Sequence, residues 1–145
     1  MHDTDRIRNL LGTYCDLMDA GDFAAVGQLF ARGRLADIDG RAYATGAAEV
    51  EASYATMTTS HGGTPRTKHL VLNTVFDEPA ADGSVTARSS YLVLQALEGF
   101  ALQPIITGRY VDRFAPDGDG TWHFVERRFA VDLTGDLSHH LARRP

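Results

Sequence analysis

Cysteine is nearly absent: Cys15 is the only one in 145 residues. An intrachain disulfide is therefore excluded, and no CxxC or Cys/His spacing is available for a structural metal. Cys15 itself reads as a small apolar residue on a helix face. Long apolar runs are missing too, since nothing approaches the roughly 20 residues a bilayer span needs. Residues 1–5 are polar and carry no apolar secretory core. The expected location is cytoplasmic, with no membrane partner. Positive charge is in deficit: 14 Lys and Arg against 19 Asp and Glu give a formal net charge of −5. A nucleic-acid partner would need a basic patch, and none is present. The basic pair at the extreme end, Arg143-Arg144, reads as a solvated tail. Internal repeats and low-complexity segments are also lacking.

What is present suits one domain over residues 1–145, ending in a polar tail over 134–145. Asp3 or Thr4 can cap a first helix, along which Ile7, Leu10, Leu11, Tyr14, Leu17 and Met18 recur at helical spacing. Gly21 suits its left-handed end. Asp22 can cap a second helix with Phe23, Val26, Leu29 and Phe30 on its apolar face. Residues 33–39 read as a short extended piece ending at the turn dipeptide Asp39-Gly40. A third helix opens at Thr45-Gly46 and runs through Ala47, Val50, Tyr54 and Met57. Residues 60–65 form a loop. From there the period changes to two. Long strands are expected over 68–76, 85–97, 101–114 and 122–133, with hairpins at Asp82-Gly83 and at residues 117–120. Helices followed by long antiparallel strands give an α+β fold. Such strands twist and curl. The expected result is a cone-shaped α+β barrel, three helices across a curved sheet, with an apolar pocket wherever the helices fail to fill it.

Three polar residues stand out against this frame. Asp19 sits at the C-terminal end of the first helix, where a carboxylate gains nothing from the dipole. His69 opens a strand whose alternation puts it with Val71, Asn73 and Val75. Arg127 alternates with His123, Val125 and Phe129, which turns it inward if Glu126 and Arg128 face solvent. A buried cation calls for an acidic partner or an anionic ligand group. Each has a bland alternative: a solvent-facing helix end, a satisfied core histidine, an inverted register.

The run over residues 7–30 (IRNLLGTYCDLMDAGDFAAVGQLF) resembles the opening helical hairpin of the SnoaL-like branch of the nuclear transport factor 2-like, or cystatin-like, superfamily. Residues 66–73 (RTKHLVLN) are similar to that branch's T-x-H-x-x-x-N strand. Residues 108–114 (GRYVDRF), followed by 120–124 (GTWHF), resemble its closing strands. The ordered set covers nearly the whole chain.

The branch includes scytalone dehydratase, hexachlorocyclohexane dehydrochlorinase, polyketide cyclases, ketosteroid isomerase and epoxide hydrolases. The resemblance implies a cofactor-independent lyase or isomerase. His69 would be the general base and Asp19 its orienting carboxylate. Arg127 falls where the dehydrochlorinase has an arginine that assists the leaving group. Tyr14 falls where the isomerase has its oxyanion-stabilising tyrosine. Ile38 and Ser89 stand near two substrate-binding positions of the dehydratase, so scytalone is not the implied substrate. Met18, Leu35, Tyr54, Met57, Val71, Asn73, Tyr91 and Phe129 are the expected wall around a small apolar, aromatic or alicyclic molecule. A non-catalytic binding or assembly module of the same fold is the alternative. The resemblance also implies a homodimer or homotrimer, with Tyr110 and Phe114 expected on the outer sheet face.

Overall fold

A computed structural model of the chain describes residues 1–142, so the Arg143-Arg144 pair lies outside the described residues. The helices are α1 (Asp3–Ala20), α2 (Phe23–Leu29) and α3 (Gly46–Met57). The strands are β1 (Arg34–Asp37), β2 (Ala42–Thr45), β3 (Thr67–Phe76), β4 (Val85–Leu97), β5 (Phe100–Pro116) and β6 (Trp122–Thr134).

Helix α1 buries Ile7, Leu11, Tyr14, Cys15 and Met18, a stripe at helical spacing. Its cap falls one residue before Asp3 and two before Thr4, the two expected capping residues. His2 is the N-cap residue and makes no side-chain capping bond. Asp3 instead accepts from the Trp122 indole N–H at 3.1 Å, which ties the start of α1 to β6. At the other end Gly21 takes φ 73°, and its N–H closes back onto the last turn. Asp22 caps α2 as expected, accepting from the Ala25 N–H at 3.0 Å.

The six strands form one open sheet in the order β2-β1-β6-β5-β4-β3. Only β1 against β6 is parallel; the other neighbours are antiparallel. With β2 and β3 as free edges, the barrel expected from sequence stays open. Strand β2 was not foreseen. Asp37 accepts from the N–H groups of Asp39 and Arg41, so the Asp39-Gly40 turn closes a hairpin instead of leading directly to α3.

Two bulges correct the expected side-chain faces. In β3 the register slips between Leu72 and Val75, and Asn73 takes φ 55°. Alternation reverses there. Thr74 and Phe76 turn inward, while Asn73 and Val75 are exposed. In β6 Phe124 pairs with Phe114 and Glu126 with Arg113, which leaves Val125 as an extra residue. Phe124 and Arg127 are therefore both buried, and His123 bonds Asp117 at the turn instead of sharing Arg127's face.

The inner face of β5 is Gly108, Tyr110, Asp112 and Phe114, all buried. This overturns the expectation that Tyr110 and Phe114 lie on the outer face. The large exposed apolar side chains on the strands are Tyr43, Leu72, Val75, Leu102, Val131 and Leu133. The polar tail is likewise ordered in its described part. Leu141 makes a bridge with Thr58, and Ala142 donates its N–H to the Met57 carbonyl at 2.8 Å. Tail polarity concealed this, because the anchoring is through backbone groups. Among the described residues no helix is long and apolar enough to cross a membrane.

Candidate functional site

An apolar cavity of about 330 Å³ lies between the helices and the sheet. That is near the lower end for small-molecule sites. Strand register builds its floor. His69 sits opposite Val93, which sits opposite Ile106; Tyr91 sits opposite Gly108, and Tyr110 opposite Phe129. Tyr14 and Met18, one helical turn apart on α1, supply one wall, and Tyr54 and Met57 from α3 another. A wider groove bounded by Arg32, Arg34, Arg113 and Glu126 opens to solvent and contains none of the residues singled out from sequence.

Gly108 makes the floor possible. A methyl group there would overlap the Ala130 carbonyl oxygen and the Tyr91 ring. Tyr91 stacks on Tyr110 at 4.5 Å, and the Ala130 carbonyl is backbone of the paired strand and cannot swing aside. Gly108→Ala is expected to cost roughly 2–3 kcal/mol, the scale of overpacking in a filled core. Urea unfolding measures it, and a cost under about 0.5 kcal/mol would show that the sheet yields freely here.

His69 and Asp19 meet, although 50 positions separate them in sequence. His69 Nδ1 lies 2.6 Å from Asp19 Oδ1. The same carboxylate accepts from the Thr67 hydroxyl at 2.9 Å and from the His69 backbone N–H at 3.0 Å. These bonds account for an acid at the negative end of a helix. Partial burial works to raise the Asp19 carboxyl, but the His69 and Thr67 hydrogen bonds outweigh it and hold the group below its ordinary value. Asp19 is then an acceptor only, so Nδ1 of neutral His69 must carry the proton. Its Nε2 keeps the free lone pair.

Tyr14 and Tyr54 share a hydrogen bond of 2.7 Å between hydroxyls. Burial raises the Tyr14 hydroxyl against the lowering effects of Arg127 and of the Tyr54 bond. Both phenols stay protonated near neutral pH and can donate. Cys15 is buried, and burial pushes its thiol up to about 11, which leaves it inert beside this pair.

Arg127 is inward, as expected, and fully buried. Its acidic partner is Asp112, held by two hydrogen bonds of 2.8 and 2.9 Å. The guanidinium carbon lies 4.2 Å from the Tyr14 ring centre and 3.7 Å from that of Tyr110. Burial opposes its charge, but Asp112 outweighs burial and keeps the cation. Tyr14 and Tyr110 line the cavity and Arg127 does not. It therefore acts on the cavity through Tyr14, and direct assistance to a leaving group is corrected. Leu35 is fully buried away from the wall, Val71 is not part of the lining, and Asn73 is exposed beyond the β3 bulge.

Sequence reasoning missed His140, which it left in a loose tail. The residue is 6% exposed, and its ring lines the cavity 6.1 Å from that of His69. Burial pushes His140 down to about 4; the facing His69 adds to this, Asp19 opposes it and His61 contributes slightly. In the unfolded chain it titrates at 6.5. The folded state thus binds a proton less readily, so this contribution to stability is complete above pH 6.5 and erodes as pH falls toward 4. Between pH 6.5 and 5 the loss is on the order of 2 kcal/mol. Comparing urea midpoints at pH 7 and 5 checks it: His140→Phe should remove most of that dependence. An unchanged slope in the variant would contradict the burial of this imidazole. Among the described residues no group of three or more His, Cys, Asp or Glu side chains is arranged to hold a metal ion.

No curated protein sequence matches the chain. Solved structures do. ActVI-ORFA from Streptomyces coelicolor is 22% identical with a TM-score of 0.70, over 89% of this chain and 96% of that one. A protein from Novosphingobium aromaticivorans, provisionally assigned as a scytalone dehydratase, is 19% identical with a TM-score of 0.69, over 92% and 87%. An NTF2-like protein with a cystatin-like fold from the same organism is 23% identical with a TM-score of 0.65, over 94% and 86%. At these identities the likeness establishes the fold, which is the NTF2-like, cystatin-like one. The family model of the SnoaL-like domain matches residues 1–128, a span that contains α1 through the first half of β6, Asp19 and His69 included, and stops before Phe129, Val131 and the tail residues of the cavity; the chain belongs to that family.

Proposed function

We propose that this protein is a cofactor-independent lyase or isomerase, of the elimination or cyclisation type, that removes a proton from carbon in a small aromatic or alicyclic substrate. One observation carries the reading: a histidine held at 2.6 Å by a carboxylate, at the wall of an apolar cavity. His69 Nε2 accepts the proton. Asp19 fixes the tautomer and stabilises the imidazolium that forms. The Tyr14 hydroxyl, backed by Tyr54, donates to the oxygen on which negative charge develops. Arg127 lends its field to that hydroxyl from behind the Tyr14 ring. In an elimination, the electron pair left on carbon forms the new double bond as the leaving group departs with its own pair. In an isomerisation, the proton returns from His69 to a different carbon.

Proton removal can be followed before the natural substrate is in hand. 1-Indanone has an acidic C–H beside its carbonyl and a bicyclic apolar body. Incubation in D₂O should place deuterium at C2, read by ¹H NMR, faster than in buffer alone. Equal rates with and without protein would defeat the proposal. A second reading has one observation in its favour. The Asp19 bonds to Thr67 and to the His69 backbone tie α1 to β3, as a purely structural pair would in a binding module. In that case ketones bind and no exchange occurs.

A further inference from the structure

The His69 ring has an aromatic neighbour on two sides. Tyr14 stands edge-on to it at 6.5 Å and 88°, and His140 at 6.1 Å and 65°. Tyr14 comes from α1 and has Tyr54 to bond. His140 comes from the tail, and its buried Nδ1 has no hydrogen-bond partner among the described residues. An unsatisfied buried polar atom costs about 1–3 kcal/mol, so keeping a histidine at this place, where the residue borders the cavity, calls for an explanation.

The tail fixes this ring with unusual thoroughness for a polar terminus. The His140 carbonyl accepts from the Thr59 N–H at 2.8 Å, and its N–H donates to Leu137 at 3.0 Å. One residue earlier, the His139 carbonyl accepts from the amide of buried Gln95 at 3.1 Å and lies 2.7 Å from His61 Nε2. The His139 ring packs against Phe100 at 4.6 Å. Three separate parts of the fold thus position one imidazole beside the candidate base.

We infer that His140 is a substrate-binding and specificity residue, and that the substrate carries a second oxygen substituent, a hydroxyl or carbonyl, which His140 hydrogen-bonds while Tyr14 holds the oxygen next to the reacting carbon. This rests on the proposed function and narrows its substrate class from apolar rings to rings with two oxygen functions. A neutral imidazole suits the role. It can donate or accept, and it adds no second positive charge beside His69 when His69 takes up a proton. No aliphatic replacement could do this. Apart from His69 and His140 itself, the polar side chains of the lining are the hydroxyls of Thr56, Thr58 and the tyrosines, and none is an imidazole.

The test compares 1-indanone with its 4-, 5-, 6- and 7-hydroxy derivatives by titration calorimetry on the whole chain. At least one hydroxy isomer should bind wild type about 10-fold more tightly than 1-indanone, the worth of one net hydrogen bond. His140→Phe should erase that preference and leave 1-indanone affinity within about 2-fold. His140→Asn, which keeps an amide donor and acceptor, should retain part of it. Melting curves confirm that each variant is folded. No hydroxy isomer gaining over 1-indanone, or a preference that survives His140→Phe, overturns the inference. Equal loss of all five ligands in both variants also overturns it, since the role would then be packing. The outcomes separate from those of the proposed function. Deuterium exchange into 1-indanone is read against His69→Ala, and the hydroxyl preference by calorimetry against His140→Phe, so either claim can fail alone.

Discussion

Replacing Asp19 with Asn is expected to slow deuterium incorporation into 1-indanone by roughly 10³-fold, and His69→Ala by at least as much, within the 10²–10⁴ range of general acid–base catalysis. The two substitutions act through different steps. Alanine removes the lone pair outright. Asparagine keeps the shape of the carboxyl but can present an N–H to Nδ1, which drives the ring proton to Nε2 and blocks the base. Loss of the negative charge also removes support for the imidazolium. Because the two side chains work as a unit, the double variant should be no slower than His69→Ala alone. Far-ultraviolet circular dichroism and urea midpoints establish that the fold persists. An Asp19→Asn protein that keeps a third or more of wild-type exchange would reduce the pair to a structural tie between α1 and β3.

Asp19 and His69 were each legible as anomalies, an acid at the negative end of a helix and a histidine among valines, but each kept a bland alternative, and only the family resemblance implied that they pair. The hydrogen bond between them gives both a local reason. The helices were legible from period and from Gly21 and Asp22. What failed to show were departures from strict alternation. One inserted residue, Val125, reverses the face of everything before it in β6, and Asn73 does the same for the end of β3. Alternation over 108–114 was intact, yet Tyr110 and Phe114 were placed outside. Asp112 between them was the available signal: it shares their face, and a strand presenting Gly, Tyr, Asp and Phe inward could host the buried arginine that β6 required. His140 was illegible for another reason. Its segment is held by backbone bonds to residues 57–59 and by Gln95, and composition says nothing about those.

Arg127 and Asp112 offer the second large effect. Breaking the pair by Arg127→Met leaves Asp112 as an uncompensated buried charge, which should cost about 3–5 kcal/mol and lower the melting temperature by roughly 10 °C. Asp112→Leu alone should be equally damaging, since it strands the guanidinium between Tyr14 and Tyr110. The double variant should recover most of the loss, because two apolar side chains need no compensation and the ring faces remain to pack against. The coupling measured by this cycle in urea should therefore exceed 2 kcal/mol. Additive losses would instead show that each side chain stabilises the fold through other contacts. Arg127 Nη1 is buried without a hydrogen-bond partner among the described residues, so the cation is not there for maximal stability. Its position against the Tyr14 ring gives it another use, to favour negative charge on oxygen bound at the Tyr14 hydroxyl. The folded double variant should then bind 1-indanone normally while exchanging deuterium more slowly, which separates the field of Arg127 from its part in holding the sheet together.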